Sequence, residues 1–249
     1  MRIMVINTKG GCGKSTTAQQ VFCPYLFGKG GGKKKVRLVE VDEQNWDGAV
    51  FQKSDVIDWQ GYKLIEMDKL ISEIAENQDL VVDTGGNITG ERCLQEFYER
   101  GYINAIDLFV IPLSSGEQDA VNAVSTYLKI IEKKRDARIV FALSQVFDVD
   151  EKAVRMQFWA WEKAKENLKK TKEIWVPASF VVGQSRRFGK TVFEIAQRDE
   201  SKIQRELMEA VEKGDSKKAY ELSNKLFLIN KSRQWWSYIK NQVEQALNG

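Results

Sequence analysis

The stretch RIMVINTKGGCGKST, residues 2–16, decides the fold. Residues 3–7 are a short run of β-rich apolar side chains, and the run stops at a cluster of glycines. Residues 15–26 then have the spacing of a helix, so a strand, a tight glycine turn and a helix follow one another without a linker. Glycine at positions 10, 11 and 13 lets backbone N–H groups converge on one point with no Cβ in the way. Gly13-Lys14-Ser15-Thr16 opens the helix, whose N-terminus adds partial positive charge. These features describe a phosphate-binding loop. Lys14 is placed to reach the β- and γ-phosphates of a nucleotide, and the Ser15 hydroxyl to ligate Mg²⁺. The common loop pattern begins with a further glycine, and here that first position holds Thr8 or Lys9.

Working outward, the N-terminal half alternates apolar runs with helical patterns. A Gly/Lys loop, GKGGGKKK, precedes a strand at Val36–Val41, and residues 64–76 have helical spacing. Residues 80–83, 108–112 and 139–143 read as buried strands, with a helix over 120–133. Strands alternating with helices imply βαβ crossovers, so the expected fold is an α/β, doubly wound, mostly parallel sheet. Beyond residue 150 the pattern turns helical. Residues 154–172 read as an aromatic and then lysine-rich helical stretch, and 174–182 as a last strand broken by Pro177. Helices over 202–213 and 219–249 are parted by a Gly214-Asp215 turn, which divides the chain into a domain of residues 1–213 and a helical extension of 214–249.

Composition narrows the chemistry. The 249 residues carry 38 Lys+Arg against 35 Asp+Glu, a net charge of only +3. There is no histidine, which excludes Ser-His-Asp and Cys-His catalysis and every histidine-ligated metal site. Cys12, Cys23 and Cys93 form no pattern, which points to reduced thiols and a cytoplasmic location. There is no Cys-x-x-Cys pair, Cys93 stands alone ten residues past Asp83 and Cys23 lies in the first helix, so an iron–sulfur carrier of the same fold is not expected. No apolar run approaches a membrane span, and the first residues lack the apolar core of a secretory signal.

Lys9-Gly10-Gly11-Cys12-Gly13-Lys14-Ser15 resembles the deviant Walker A motif, KGGxGK[ST], of the ParA/MinD partition and positioning ATPases. The resemblance implies ATP and Mg²⁺ as cofactors and a homodimer sandwiching two ATP, in which Lys9 crosses to the partner's nucleotide. VRLVEVDEQNW, residues 36–46, is similar to that family's second-strand motif, which implies that Asp42 positions the attacking water near Mg²⁺ and matches Gln44 to the motif's glutamine. Glu40 and Glu43 depart from it, standing where Asp and Pro are usual. DLVVDTGGN, residues 79–87, resembles Walker B and switch II, with Asp83 holding the Mg²⁺ water shell. LFVIPLSSGEQDAVNAV, residues 108–124, resembles the strand and helix that line the family's dimer interface. Residues 174–196 resemble its late segment, which implies that Pro177, Ala178 and Ser179 flank adenine. The short Asp42-to-Asp83 segment is similar to that of small plasmid partition ATPases and leaves little room for a metabolite lid. No helix-turn-helix segment precedes the loop, so the autorepressing long form is not expected.

The resemblance implies an ATPase switch for DNA segregation, stimulated by a ParB-like centromere-binding partner and nucleoid-associated in its ATP state. Arg186, Arg187 and Lys190 are the candidate contacts to non-specific DNA, with Lys163, Lys165, Lys169, Lys170 and Lys172 as a second basic group. On a helical wheel Lys165, Lys169 and Lys172 share one side. The alternative is a MinD-like membrane-surface protein, or positioning of another cargo such as conjugation machinery or a protein cluster. The membrane reading rests on a stripe of Trp235, Trp236, Ile239, Val243, Ala246 and Leu247, whose polar side carries few lysines. Packing of that stripe on the α/β core is the simpler expectation.

Overall fold

The computed structural model describes residues 1–43, 46–76, 78–86, 88–168 and 171–248. Seven strands, β1 (Arg2–Val5), β2 (Val36–Val41), β3 (Ile57–Tyr62), β4 (Leu80–Thr84), β5 (Leu108–Leu113), β6 (Ile139–Val146) and β7 (Lys172–Pro177), form one sheet in the order β3-β2-β4-β1-β5-β6-β7. Every neighbouring pair is parallel. All strands therefore end on one edge, where the connecting loops build a site.

Period-2 alternation sends successive side chains to opposite faces. Ile3, Val5, Leu38 and Val81 enter one apolar layer, and Met4, Ile6, Val39 and Val82 the other. The second layer is closed by α3 (Met67–Glu76), α4 (Ile88–Glu99), α5 (Glu117–Lys133), α6 (Glu151–Gln157) and α7 (Trp159–Lys165), through residues such as Leu70, Phe97, Ile130, Val154 and Trp161. The first is closed by the helix after the glycine loop, by α8 (Phe180–Arg187) and α9 (Val192–Ala196), and by α11 (Ser216–Asn248), which follows α10 (Ser201–Glu212).

The helix after the glycine loop is composite. α1 (Lys14–Thr16) widens into a π-helical segment, Thr17–Phe22, before α2 (Cys23–Lys29). Pro24 stands in the first turn of α2 and explains the widening. Its ring would clash with the Gln20 carbonyl in a regular α-helix, and it has no N–H to donate.

Three sequence readings are corrected. β3 was not expected: it is an edge strand, and its central Asp58-Trp59-Gln60-Gly61 lacks an apolar run. The strand expected over 174–182 ends at Pro177, and the chain resumes as α8 under the Ser179 cap, whose side chain accepts from the Val181 N–H. The single basic helical face expected of Lys165, Lys169 and Lys172 does not form, since α7 ends at Lys165 and Lys172 opens β7. Lys169 and Lys170 lie outside the described residues.

The aromatic stripe of α11 is an internal surface. Trp235, Trp236, Ile239, Val243 and Ala246 are buried in the first apolar layer. Trp235 Nε1 donates to the Pro177 carbonyl at 3.1 Å, and Gln242 Oε1 accepts from the Trp175 N–H at 3.2 Å. Burying each such Trp or Ile contributes roughly 1.5–3 kcal/mol. Among the described residues no helix is long and apolar enough to cross a membrane.

Candidate functional site

A cavity of about 390 Å³ opens at the carboxyl ends of β1, β2 and β4. Its floor is the glycine loop. Gly11 and Gly13 have φ of +74° and +91°, and a Cβ on Gly13 would sit 2.6 Å from Ser144 Oγ. Glycine is required at 13 by both conformation and space. From the opposite side Gly86 approaches so closely that a Cβ there would lie 3.0 Å from Gly10 Cα. Gly10, Gly11, Gly13, Lys14, Ser15 and Thr16 all line the cavity, together with Asp42 and Asp83. Cys12 faces the interior instead. It is fully buried, burial pushes its thiol pKa up, and it is thereby a poor nucleophile and a structural residue.

Asp83 is the least satisfied group in the cavity. It is 2% exposed, and neither carboxylate oxygen closes a hydrogen bond of good geometry among the described residues. Burial, reinforced by Glu40, pushes its pKa up to about 8, against the opposing pull of the Ser15 hydroxyl and the Lys14 ammonium. An orphaned buried carboxylate beside a serine hydroxyl and a phosphate loop fits Mg²⁺, which takes one or two protein oxygens and completes its shell with phosphate and water. No cluster of three or more acidic or thiol side chains able to hold a metal by itself occurs among the described residues.

Asp42 follows the end of β2 on the cavity wall. Gly85 leaves the room it needs, since a Cβ there would meet Asp42 Oδ2 at 2.6 Å. Trp46 Nε1 donates to the Asp42 carbonyl at 3.3 Å. Two residues earlier, the longer side chain at Glu40 accepts from Asp47 N–H at 2.9 Å, Gly48 N–H at 2.8 Å and Trp59 Nε1 at 3.0 Å. Burial raises the Glu40 pKa even so. Glu40 thus fixes the 3-10 turn at Asp47–Lys53 beside Asp42. Gln44 lies outside the described residues.

The two loop lysines are directed differently. Lys14 is buried and its Nζ donates to the Lys9 carbonyl at 2.6 Å, which curls the loop around it. Lys9 Nζ instead pairs with Asp119 Oδ2 on α5 at 2.5 Å, and the other oxygen of this buried aspartate has no partner among the described residues.

A second cavity of about 320 Å³ adjoins the first and shares Gly13, Thr16 and Gln145 with it. Pro177, Ala178 and Ser179 form its far wall. Gln145 stands between the two cavities with φ of +61°, at a bulge in β6, and its carbonyl accepts from Gln157 Nε2 at 2.8 Å.

The three basic residues expected on DNA do not share one free surface. Arg186 lines the first cavity and pairs with Asp47 at 3.3 Å. Lys190 is held by Asp55 at 2.7 Å and Glu194 at 3.0 Å. Arg187 is exposed. Sequence reasoning missed Asp47, Asp119 and Gln145 as site residues. Nothing local marks them, because each reaches the loop only through the fold.

The parallel sheet, with a glycine loop between its first strand and the following helix, is a doubly wound α/β fold. No family model matches the chain, and no curated protein matches it. Among solved structures, the cell division ATPase MinD of Pyrococcus furiosus superposes with a TM-score of 0.52 at 12% identity, covering 98% of each chain. MinD of Aquifex aeolicus, in its MinC:MinD complex, gives a TM-score of 0.53 at 15% identity over 78% of this chain and 88% of that one. MinD of the same organism alone gives 0.51 at 15% identity over 77% and 87%. The fold of this chain is therefore that of these MinD structures, with the C-terminal helix α11 packed on the sheet.

Proposed function

We propose that the protein is a Mg²⁺-dependent ATPase that dimerises with ATP and works as a positioning switch of the ParA/MinD kind. The observation that carries the reading is the convergence of Lys14, Ser15, Asp42 and the unsatisfied Asp83 on one cavity floored by Gly10, Gly11 and Gly13. The loop amides and Lys14 hold the β- and γ-phosphates. Ser15 and Asp83 are the residues that would hold Mg²⁺, which would supply neutralisation of phosphate charge. Asp42, beside Gly85 just past the end of β4, orients the attacking water. Pro177, Ala178 and Ser179 wall the cavity that takes adenine, with Gln145 at its junction with the phosphate cavity.

Lys9 acts across a dimer in this reading. Its pair with Asp119 holds it within its own subunit until a partner's nucleotide competes for the ammonium, so dimer formation depends on the nucleotide's charge. An Asp42→Ala protein tests this directly: with Mg²⁺ and ATP it elutes as a dimer, and with ADP as a monomer, by light scattering. A monomer under both nucleotides overturns the dimer switch.

For the matrix we favour DNA, with a ParB-like stimulating partner. The membrane alternative loses its lead feature, because the α11 stripe is buried against β7 and α9. Arg187 is the exposed member of the basic trio. ATP-dependent, salt-sensitive retention on a random-sequence duplex, weakened by Arg187→Ala, is the expected result. Retention on anionic liposomes and not on DNA reverses the choice.

A further inference from the structure

Arg186, at the C-terminal end of α8, is turned into the phosphate cavity, and its contacts there are all long. Nη1 donates to Gln19 Oε1 at 3.5 Å, Nη2 donates to the Asp47 carbonyl at 3.3 Å, and the ion pair to Asp47 Oδ1 is also 3.3 Å. Four residues on, Lys190 anchors the same loop with contacts of 2.7–3.0 Å. Between them Gly189, at φ +63°, lies so near the 3-10 turn that a Cβ would sit 2.7 Å from the Val50 carbonyl. One end of this loop is clamped to the turn and the other is held loosely.

Charge in the cavity gives the loose end a purpose. Lys14 and Arg186 are the cations lining it among the described residues, against Glu40, Asp42, Asp47 and Asp83. Arg186 belongs to this cavity and not to the adjoining one walled by Pro177 and Ala178. It therefore faces phosphate and not the base. A guanidinium that shares long contacts with a half-exposed aspartate exchanges them readily for a phosphate, which it can bind in a bidentate way.

We propose that Arg186 is a phosphate-binding residue of this site, which leaves Asp47 for the terminal phosphate of a nucleoside triphosphate. Asp47 is then held at its N–H by Glu40 alone, so the turn beside Asp42 reports whether a third phosphate is present. The assignment rests on the nucleotide-site reading above. It also removes Arg186 from the residues that contact DNA.

Titration calorimetry with Mg²⁺ and either a non-hydrolysable ATP analogue or ADP tests the assignment in wild type, Arg186→Gln, Arg186→Lys and Asp47→Asn. Arg186→Gln is expected to weaken the triphosphate analogue at least about tenfold and ADP less than about threefold. Arg186→Lys recovers part of the loss, and Asp47→Asn tightens the analogue by removing the competing partner. Equal losses for both nucleotides, or no loss, overturn the assignment. So does an Asp47→Asn protein that binds the analogue as weakly as Arg186→Gln, which makes the pair structural. If wild type binds neither nucleotide, the site reading itself fails and takes this assignment with it. Duplex retention lost in Arg186→Gln with nucleotide affinity unchanged returns the residue to the DNA surface.

Discussion

Two carboxylates, the partly buried Glu173 and the fully buried Asp83, are satisfied in opposite ways. Glu173, near the start of β7, is satisfied on every side: Arg155 Nη1 donates at 2.8 Å, Lys165 Nζ at 2.7 Å and Trp161 Nε1 at 3.0 Å. Burial pushes its pKa up, but the bonds from Lys165, Arg155 and Trp161 bring it below the usual glutamate value. Asp83, near the end of β4, is more deeply buried and has no such partners, so burial prevails and its pKa rises to about 8. A buried acid with partners ties elements together. A buried acid without them carries the full cost of burying its charge.

The largest effect is expected at the satisfied carboxylate. Glu173→Ala leaves two cations and an indole N–H facing a gap, and about 3 kcal/mol of stability is expected to be lost in urea unfolding, with nucleotide affinity unchanged. At the unsatisfied end the sign reverses. Asp83→Asn removes a charge that burial disfavours, and the nucleotide-free protein gains on the order of 2 kcal/mol at pH 8. Mg²⁺-dependent ATP binding falls in the same variant.

The pH profiles sharpen the contrast. Between about pH 4 and pH 8 the folded state retains the Asp83 proton that the unfolded chain has released, so this group lowers stability as pH rises. Asp83→Asn abolishes that slope in urea midpoints measured across the range. Glu173 works in the other direction: its folded pKa lies below 4.5, so its stabilisation is present above that pH and is lost as pH falls through the folded value. The smallest expected effect is Arg155→Met, about 1 kcal/mol, because Lys165 still holds Glu173.

How much of this was legible in the sequence follows the same division between local and long-range information. The glycine loop, the strands around it and Asp83 at the end of β4 are written in contiguous residues, so pattern and turn chemistry reach them. The edge strand β3 escaped because Asp58 and Gly61 interrupt its apolar pattern. The π-helical segment needed the consequence of Pro24 for the turn before it. Arg186 was legible as a basic residue, but only the fold turns it toward Asp47. Asp119 and Glu173 carry no local mark either, as their partners Lys9 and Arg155 lie on other elements.

The most direct test of the account is calorimetric titration of Mg²⁺ and ATP into the wild-type protein and into Lys14→Ala. Wild type is expected to bind one nucleotide per chain, and the variant to bind it about 100-fold more weakly, on loss of a charged contact to phosphate in a buried site. Absence of binding by the wild type, or equal affinity in both proteins, would contradict it.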